Sequence, residues 1–160
     1  MATASLRESI SACRECLRCP AVCGEGPEGA AVMIIGEAPG REEVEQGHPF
    51  VGPSSAKLQK LLEQLGIKRE DAYVTYAVKC FSAHSITKQD ILRCRLWLRS
   101  EIALVGPKRI VAMGKVALLM LGDKANLRKN VAREMQVKQD LAAHEKAMAA
   151  EGTAGEGIQV

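Results

Sequence analysis

The chain has 160 residues, a net charge of +3, 47% hydrophobic and 26% charged residues, which is one domain's worth of ordinary globular usage and excludes overall disorder. No apolar run approaches the roughly 20 residues of a membrane helix, and Met1 to Glu8 has no apolar core of a secretory signal, so a cytoplasmic location with no membrane contact is expected. Phe50, Phe81, Tyr73, Tyr76 and Trp97 are all the aromatics, too few for a long stacking platform on single-stranded nucleic acid.

Leu6, Ile10, Cys13 and Leu17 recur at helical spacing and predict a helix over 5–19, broken by Pro20 and the glycines that follow. The apolar run 30–35 ends at Gly36 and predicts a buried strand; Gly36-Glu37-Ala38-Pro39-Gly40 must then turn, and 47–53 is a second loop. Ser54 or Ser55 is placed to cap a helix carrying Leu58, Leu61, Leu62 and Leu65, with Gly66 as its stop. The β-branched and aromatic stretch 72–78 predicts a strand. Thr87 is placed to cap a helix through Ile91, Trp97, Leu98 and Ile102 that Pro107 ends. A third strand is expected over 109–113, and a helix from Gly114 through Leu121. Strands alternating with helices predict an α/β fold, a mostly parallel sheet with ligands at the carboxyl ends of its strands. The loop at Gly36 and the Lys79-Cys80 step both follow strands and are placed for site duty. Residues 123–160 balance six cations with six carboxylates. Leu127, Val131, Met135, Lys138 and Leu141 there suggest an amphipathic helix before a Gly-rich tail.

Between Lys79 and Lys115 the chain has eight cations against Asp90 and Glu101, the pattern of a solvated helix face or of a surface that meets phosphates. Six cysteines in a chain of this expected location read as metal ligands before disulfides. Two sets compete. Cys13, Cys16, Cys19 and Cys23 have the spacing of a ferredoxin run, without its proline, and would make an electron carrier. Cys16 and Cys19 with Cys80 and Cys94 pair two distant parts of the chain, a four-thiolate set that suits zinc or an iron–sulfur cluster.

Several short motifs occur in one order: Cys16-Leu17-Arg18-Cys19-Pro20, Gly36-Glu37-Ala38-Pro39-Gly40-Arg41-Glu42-Glu43, Gly47-His48-Pro49-Phe50-Val51-Gly52-Pro53, Val78-Lys79-Cys80, Cys94, and Pro107 to Gly114. Together they resemble the iron–sulfur (family 4) uracil-DNA glycosylases from about Cys16 to Gly122. The resemblance implies a three-layer α/β sandwich around a central, mostly parallel sheet, with the C-terminal part truncated or divergent. It implies a domain over 1–122 followed by a divergent helical segment and tail over 123–160. It also implies a monomer that acts on uracil-containing DNA in base excision repair. A structural 4Fe-4S cluster on Cys16, Cys19, Cys80 and Cys94 is implied, as are Glu37 and Glu43 in catalysis. Phe50 would be the ring that stacks on uracil, with Gly36, Ala38, Pro39, Gly40 and Tyr76 around the substrate.

Two positions depart from the family. Tyr76 stands where the family has an asparagine that reads the base edge; one hydroxyl does not supply the amide's donor–acceptor pair, and the ring can fill the pocket. The His-Pro motif of the last loop is missing, and His48, His84 and His144 do not match its histidine. The alternative is therefore an iron–sulfur DNA-binding module that keeps the fold without excision.

Overall fold

A computed structural model describes residues 2–16, 20–83 and 85–121. Cys19, His84, the expected division at Gly122 and the amphipathic segment beyond it lie outside the described residues. Eight elements follow in chain order: α1 (Ala2–Ser11), β1 (Val32–Gly36), α2 (Arg41–Gln46), α3 (Ser55–Leu65), β2 (Ala72–Tyr76), α4 (Lys88–Val105), β3 (Arg109–Ala112) and α5 (Lys115–Leu121), with one 3-10 turn at Arg69–Asp71 before β2.

The three strands form a parallel sheet in the order β2-β1-β3. Strand alternation sends Met33, Ile35, Tyr73, Ile110 and Ala112 to one face, where Leu98 and Ile102 of α4 and Leu118 and Leu121 of α5 cover them. Val32, Ile34, Val74, Tyr76 and Val111 go to the other, against Leu58, Leu61 and Leu62 of α3. Both faces are buried, which is why the strands read as continuous apolar runs. This is the expected three-layer α/β arrangement. The chain crosses from β2 over β1 to β3, so the carboxyl ends of β1 and its neighbours form a topological switch point.

Two expected helix ends move, one helix is added and one expected cap is not made. The first helix stops at Ser11 instead of reaching residue 19, because Arg14 turns back to donate to the Ser11 and Cys13 carbonyls and the cysteine-bearing turn begins there. Helix α2 was not foreseen; Gly40 opens it, and the Glu43 carboxylate three residues on accepts the Gly40 N–H, half of a capping box. Ser54 precedes α3 but its side chain does not cap it. Helix α4 begins as expected at Thr87, whose hydroxyl accepts the Asp90 N–H, but Gly106 at φ 61° ends it before Pro107 is reached.

Candidate active site and metal centre

A cleft of about 520 Å³ opens at the carboxyl ends of the strands. Gly36, Glu37 and Ala38 line it after β1, Tyr76 closes β2, and Met113, Gly114 and Lys115 follow β3. Ser54 and Lys57 come from the start of α3, and Phe50 from the loop before it. Four of the expected substrate residues therefore meet in one place: Gly36, Ala38, Phe50 and Tyr76. Pro39 and Gly40 do not line the cleft, and the Gly40 N–H is taken by Glu43 at 2.9 Å.

Glu37 is partly buried, and its Oε1 accepts the Val116 N–H of α5 at 3.1 Å. The turn that allows this is Gly114 at φ 94°, where a Cβ would stand 2.6 Å from Oε1. Among the described residues no donor is directed at Oε2, which leaves it to water or a ligand. Glu43 has a different place. It is buried at 1% exposure, and its two oxygens accept the N–H groups of Gly40 (2.9 Å) and Gly52 (2.8 Å). It staples the two loops that carry Glu37 and Phe50, and it is a positioning residue behind the cleft.

Phe50 stacks on Tyr76 with ring centroids 4.8 Å apart and planes 21° from parallel. Its backbone lies at φ 53°, a left-handed conformation that costs a non-glycine residue about 1–2 kcal/mol. Arg69 holds the loop by donating to the Pro49 carbonyl at 2.7 Å, and the Tyr76 hydroxyl accepts the Phe50 N–H at 2.8 Å. Burial pushes the Tyr76 hydroxyl up to about 12; the Phe50 N–H opposes that shift, and the Glu43 carboxylate adds to it. His48 stays outside this lining and pairs with Glu25 on the surface.

Sequence reasoning did not pick Ser54, Lys57, Met113 or Gly114 as site residues, and it reached Lys115 only as the end of a basic stretch. Gly114 and Lys115 had a usable signal, since they follow a predicted strand as Glu37 does. Lys57 had none, because only the packing of α3 brings it to the cleft.

The cysteines gather at another corner. Cys80 belongs to a buried cluster with Ile10, Ala21 and Cys23, and the partly buried Cys16 and Trp97 pack against it. Cys94 lies beside them: burial raises its thiol pKa, the Lys79 N–H and charge lower it, and Cys16 and Cys13 raise it further. Cys23 is committed elsewhere, its Sγ bonded to the Arg7 carbonyl and in contact with the Ser11 hydroxyl, both at 3.3 Å. Among the described residues no three potential ligands already stand at metal-binding geometry. The donor chemistry nevertheless fits a thiophilic group: Cys16 packs with Cys80, Cys94 in the adjoining core feels the Cys16 charge, and soft thiolates select zinc or iron–sulfur.

Beside that corner is a buried ion pair. Lys79 and Glu101, each 1% exposed, bond directly, and Lys79 Nζ also donates to Thr75 Oγ1 (2.7 Å) and the Tyr76 carbonyl (2.6 Å). Glu101 further accepts from Thr75, Tyr73 and the Gly24 N–H. One carboxylate thus ties α4, β2 and the N-terminal segment together.

Comparison with known proteins identifies the family. The family model described as the uracil DNA glycosylase superfamily matches residues 23–151, running past Gly122. A type-4 uracil-DNA glycosylase of Pyrobaculum aerophilum is 38% identical over 118 residues, 70% of this chain and 60% of the relative. One from Thermotoga maritima is 35% identical over 119 residues, 69% of this chain and 62% of the relative. A type-5 uracil-DNA glycosylase of Pyrobaculum aerophilum is 34% identical over 108 residues, 58% of this chain and 48% of the relative. The chain spans about 60% of the length of the type-4 relatives. With the family model covering well over half of its residues, and with the cleft at the switch point of a parallel sheet, the chain belongs to the uracil-DNA glycosylase superfamily.

Proposed function

We propose that the chain binds DNA and hydrolyses the N-glycosidic bond of uracil, as the first step of base excision repair. The observation that carries this reading is Glu37: a carboxylate fixed by α5 through one oxygen, with the other turned to no donor among the described residues, in a cleft lined by two aromatic rings. A base must leave the stack to be attacked, and a cleft at the strand ends receives it. Water oxygen then bonds to the sugar carbon as the carbon–nitrogen bond breaks; the electron pair departs with uracil, which takes up a proton. The sugar passes through an oxocarbenium-like state, and Glu37 Oε2 offsets its charge while orienting the water. Lys57 and Lys115 line the same cleft and suit the flanking phosphates.

Cys16, Cys80 and Cys94, completed by Cys19, would hold a 4Fe-4S cluster. Its contribution is structural, joining the N-terminal segment to the turn after β2 and to α4. We place the protein in the cytoplasm as a monomer.

The test uses iron-loaded protein in excess over an end-labelled single-stranded oligonucleotide with one uracil, followed by alkali. Cleavage at the uracil is expected, and Glu37→Gln should reduce its rate by about 100-fold or more. Cleavage that is unchanged in Glu37→Gln removes Glu37 from the mechanism. The rings of Phe50 and Tyr76, already stacked on each other, favour a second reading, a DNA-binding module without excision. That reading expects strongly salt-dependent DNA binding and no abasic product.

A further inference from the structure

The Phe50 ring already has its stacking partner inside the protein. A ring that is to receive a flipped base should show a face to the cleft. Phe50 is 4% exposed and Tyr76 is 2% exposed; the two rings stack at a centroid distance of 4.8 Å and share one core cluster.

Neither ring is placed to move alone. Tyr76 ends β2 in parallel register with Gly36, so its backbone is held by the sheet. Its hydroxyl accepts the Phe50 N–H at 2.8 Å and contacts the Ser54 hydroxyl. Gly36 presses on both rings: a Cβ there would stand 2.8 Å from Phe50 Cζ and 3.0 Å from Tyr76 Cδ1. The Phe50 loop is anchored on one side by Arg69 at Pro49 and on the other by Glu43 at Gly52.

We propose that Tyr76 is a specificity-determining residue that occupies the Phe50 face of the cleft and keeps a flipped pyrimidine from stacking there. The inference rests on reading this cleft as the base site. The ring does the excluding, since the hydroxyl is turned to Phe50 N–H and Ser54. Uracil then enters only without the Phe50 stack, and excision is slow. Removing the ring should open the face; removing the hydroxyl alone should not.

The chain has two phenylalanines, so phenylalanine-selective isotope labelling gives a spectrum in which Phe50 is easily followed. Free uracil is titrated into the full-length protein and into Tyr76→Phe and Tyr76→Val, with melting curves to verify folding. The expected result is no uracil-dependent shift of the Phe50 signals in the wild type or Tyr76→Phe at millimolar uracil. A saturable shift in Tyr76→Val is expected, with binding at least about tenfold tighter, the factor that corresponds to 1.4 kcal/mol. A Phe50 shift in the wild type overturns the proposal, and that titration decides alone if Tyr76→Val does not fold. A folded Tyr76→Val that binds uracil no better than wild type also overturns it. The oligonucleotide assay separates this proposal from the glycosylase reading. Uracil binding at Phe50 in Tyr76→Val with no excision by either protein sinks the glycosylase reading and leaves the role of Tyr76 standing. Equal excision by wild type and Tyr76→Val does the reverse.

Discussion

Glu43 and Glu37 stand six positions apart in sequence, and their surroundings give them different work. Glu37 offers one oxygen to the cleft, whereas both Glu43 oxygens are used by backbone N–H groups. Glu43→Gln keeps the shape but turns an amide NH2 toward one of those N–H donors. Leaving a buried donor unsatisfied costs about 1–3 kcal/mol, and chemical denaturation should read a loss of that size, with Glu43→Asp recovering little because it is a methylene short. Tyr76 makes a second prediction at this scale. Its pKa rises from 10.0 to about 12 in the folded protein because burial disfavours the tyrosinate. The folded state therefore keeps a proton that the unfolded state releases. Its stabilising contribution is complete below pH 10 and is lost as pH rises from 10 to about 12. Two units correspond to about 2–3 kcal/mol. The melting temperature should fall through that window, and Tyr76→Phe should fall less steeply, with Tyr73, also raised, accounting for part of what remains.

Among the elements, the buried pair between the turn after β2 and α4 is the most exposed to single changes. Lys79 and Glu101 satisfy each other, and Thr75, Tyr73, Tyr76 and Gly24 complete the network. Lys79→Met leaves a carboxylate uncompensated, and Glu101→Leu leaves an ammonium so; each should cost about 3–5 kcal/mol in urea unfolding. The double variant should be more stable than the sum of the two implies, because an apolar pair strands no charge. Additive losses would mean that the other hydrogen bonds, and not the ion pair, join these elements. Lys79 precedes Cys80 and its N–H reaches Cys94, so the same network fixes the cysteine corner against the sheet.

For the molecule as a whole, the cysteine corner and the cleft are separate sites linked through β2, since Lys79 also donates to the Tyr76 carbonyl. If the cluster joins the N-terminal segment to α4, then Cys80→Ser and Cys94→Ser should lose iron and lower the melting temperature. Cys23→Ser should keep its iron, because that thiol is engaged with α1. Iron analysis and the visible absorbance check this, and iron retained in Cys80→Ser together with iron lost in Cys23→Ser would restore the ferredoxin-like set.

The alternation of apolar runs with helical periodicity was enough to establish three parallel strands, the helices that cover them and the end of the sheet at which the cleft opens. The short motifs around Glu37, Phe50 and Cys80 were enough to indicate the family. Those features are local, and each is written in residues adjacent in the chain. Helix α2 escaped because its start depends on Glu43 reaching back to a glycine that has no capping side chain of its own. The helix after Thr87 ends at Gly106 and not at Pro107, since the left-handed turn comes first along the chain. Tertiary structure alone decided the rest. It brought Lys57 and Lys115 to one cleft, buried Glu43 behind two loops, and laid Tyr76 on Phe50. Each of these is a meeting of residues far apart in sequence, fixed by how a sheet and its helices pack, and no spacing along the chain encodes it.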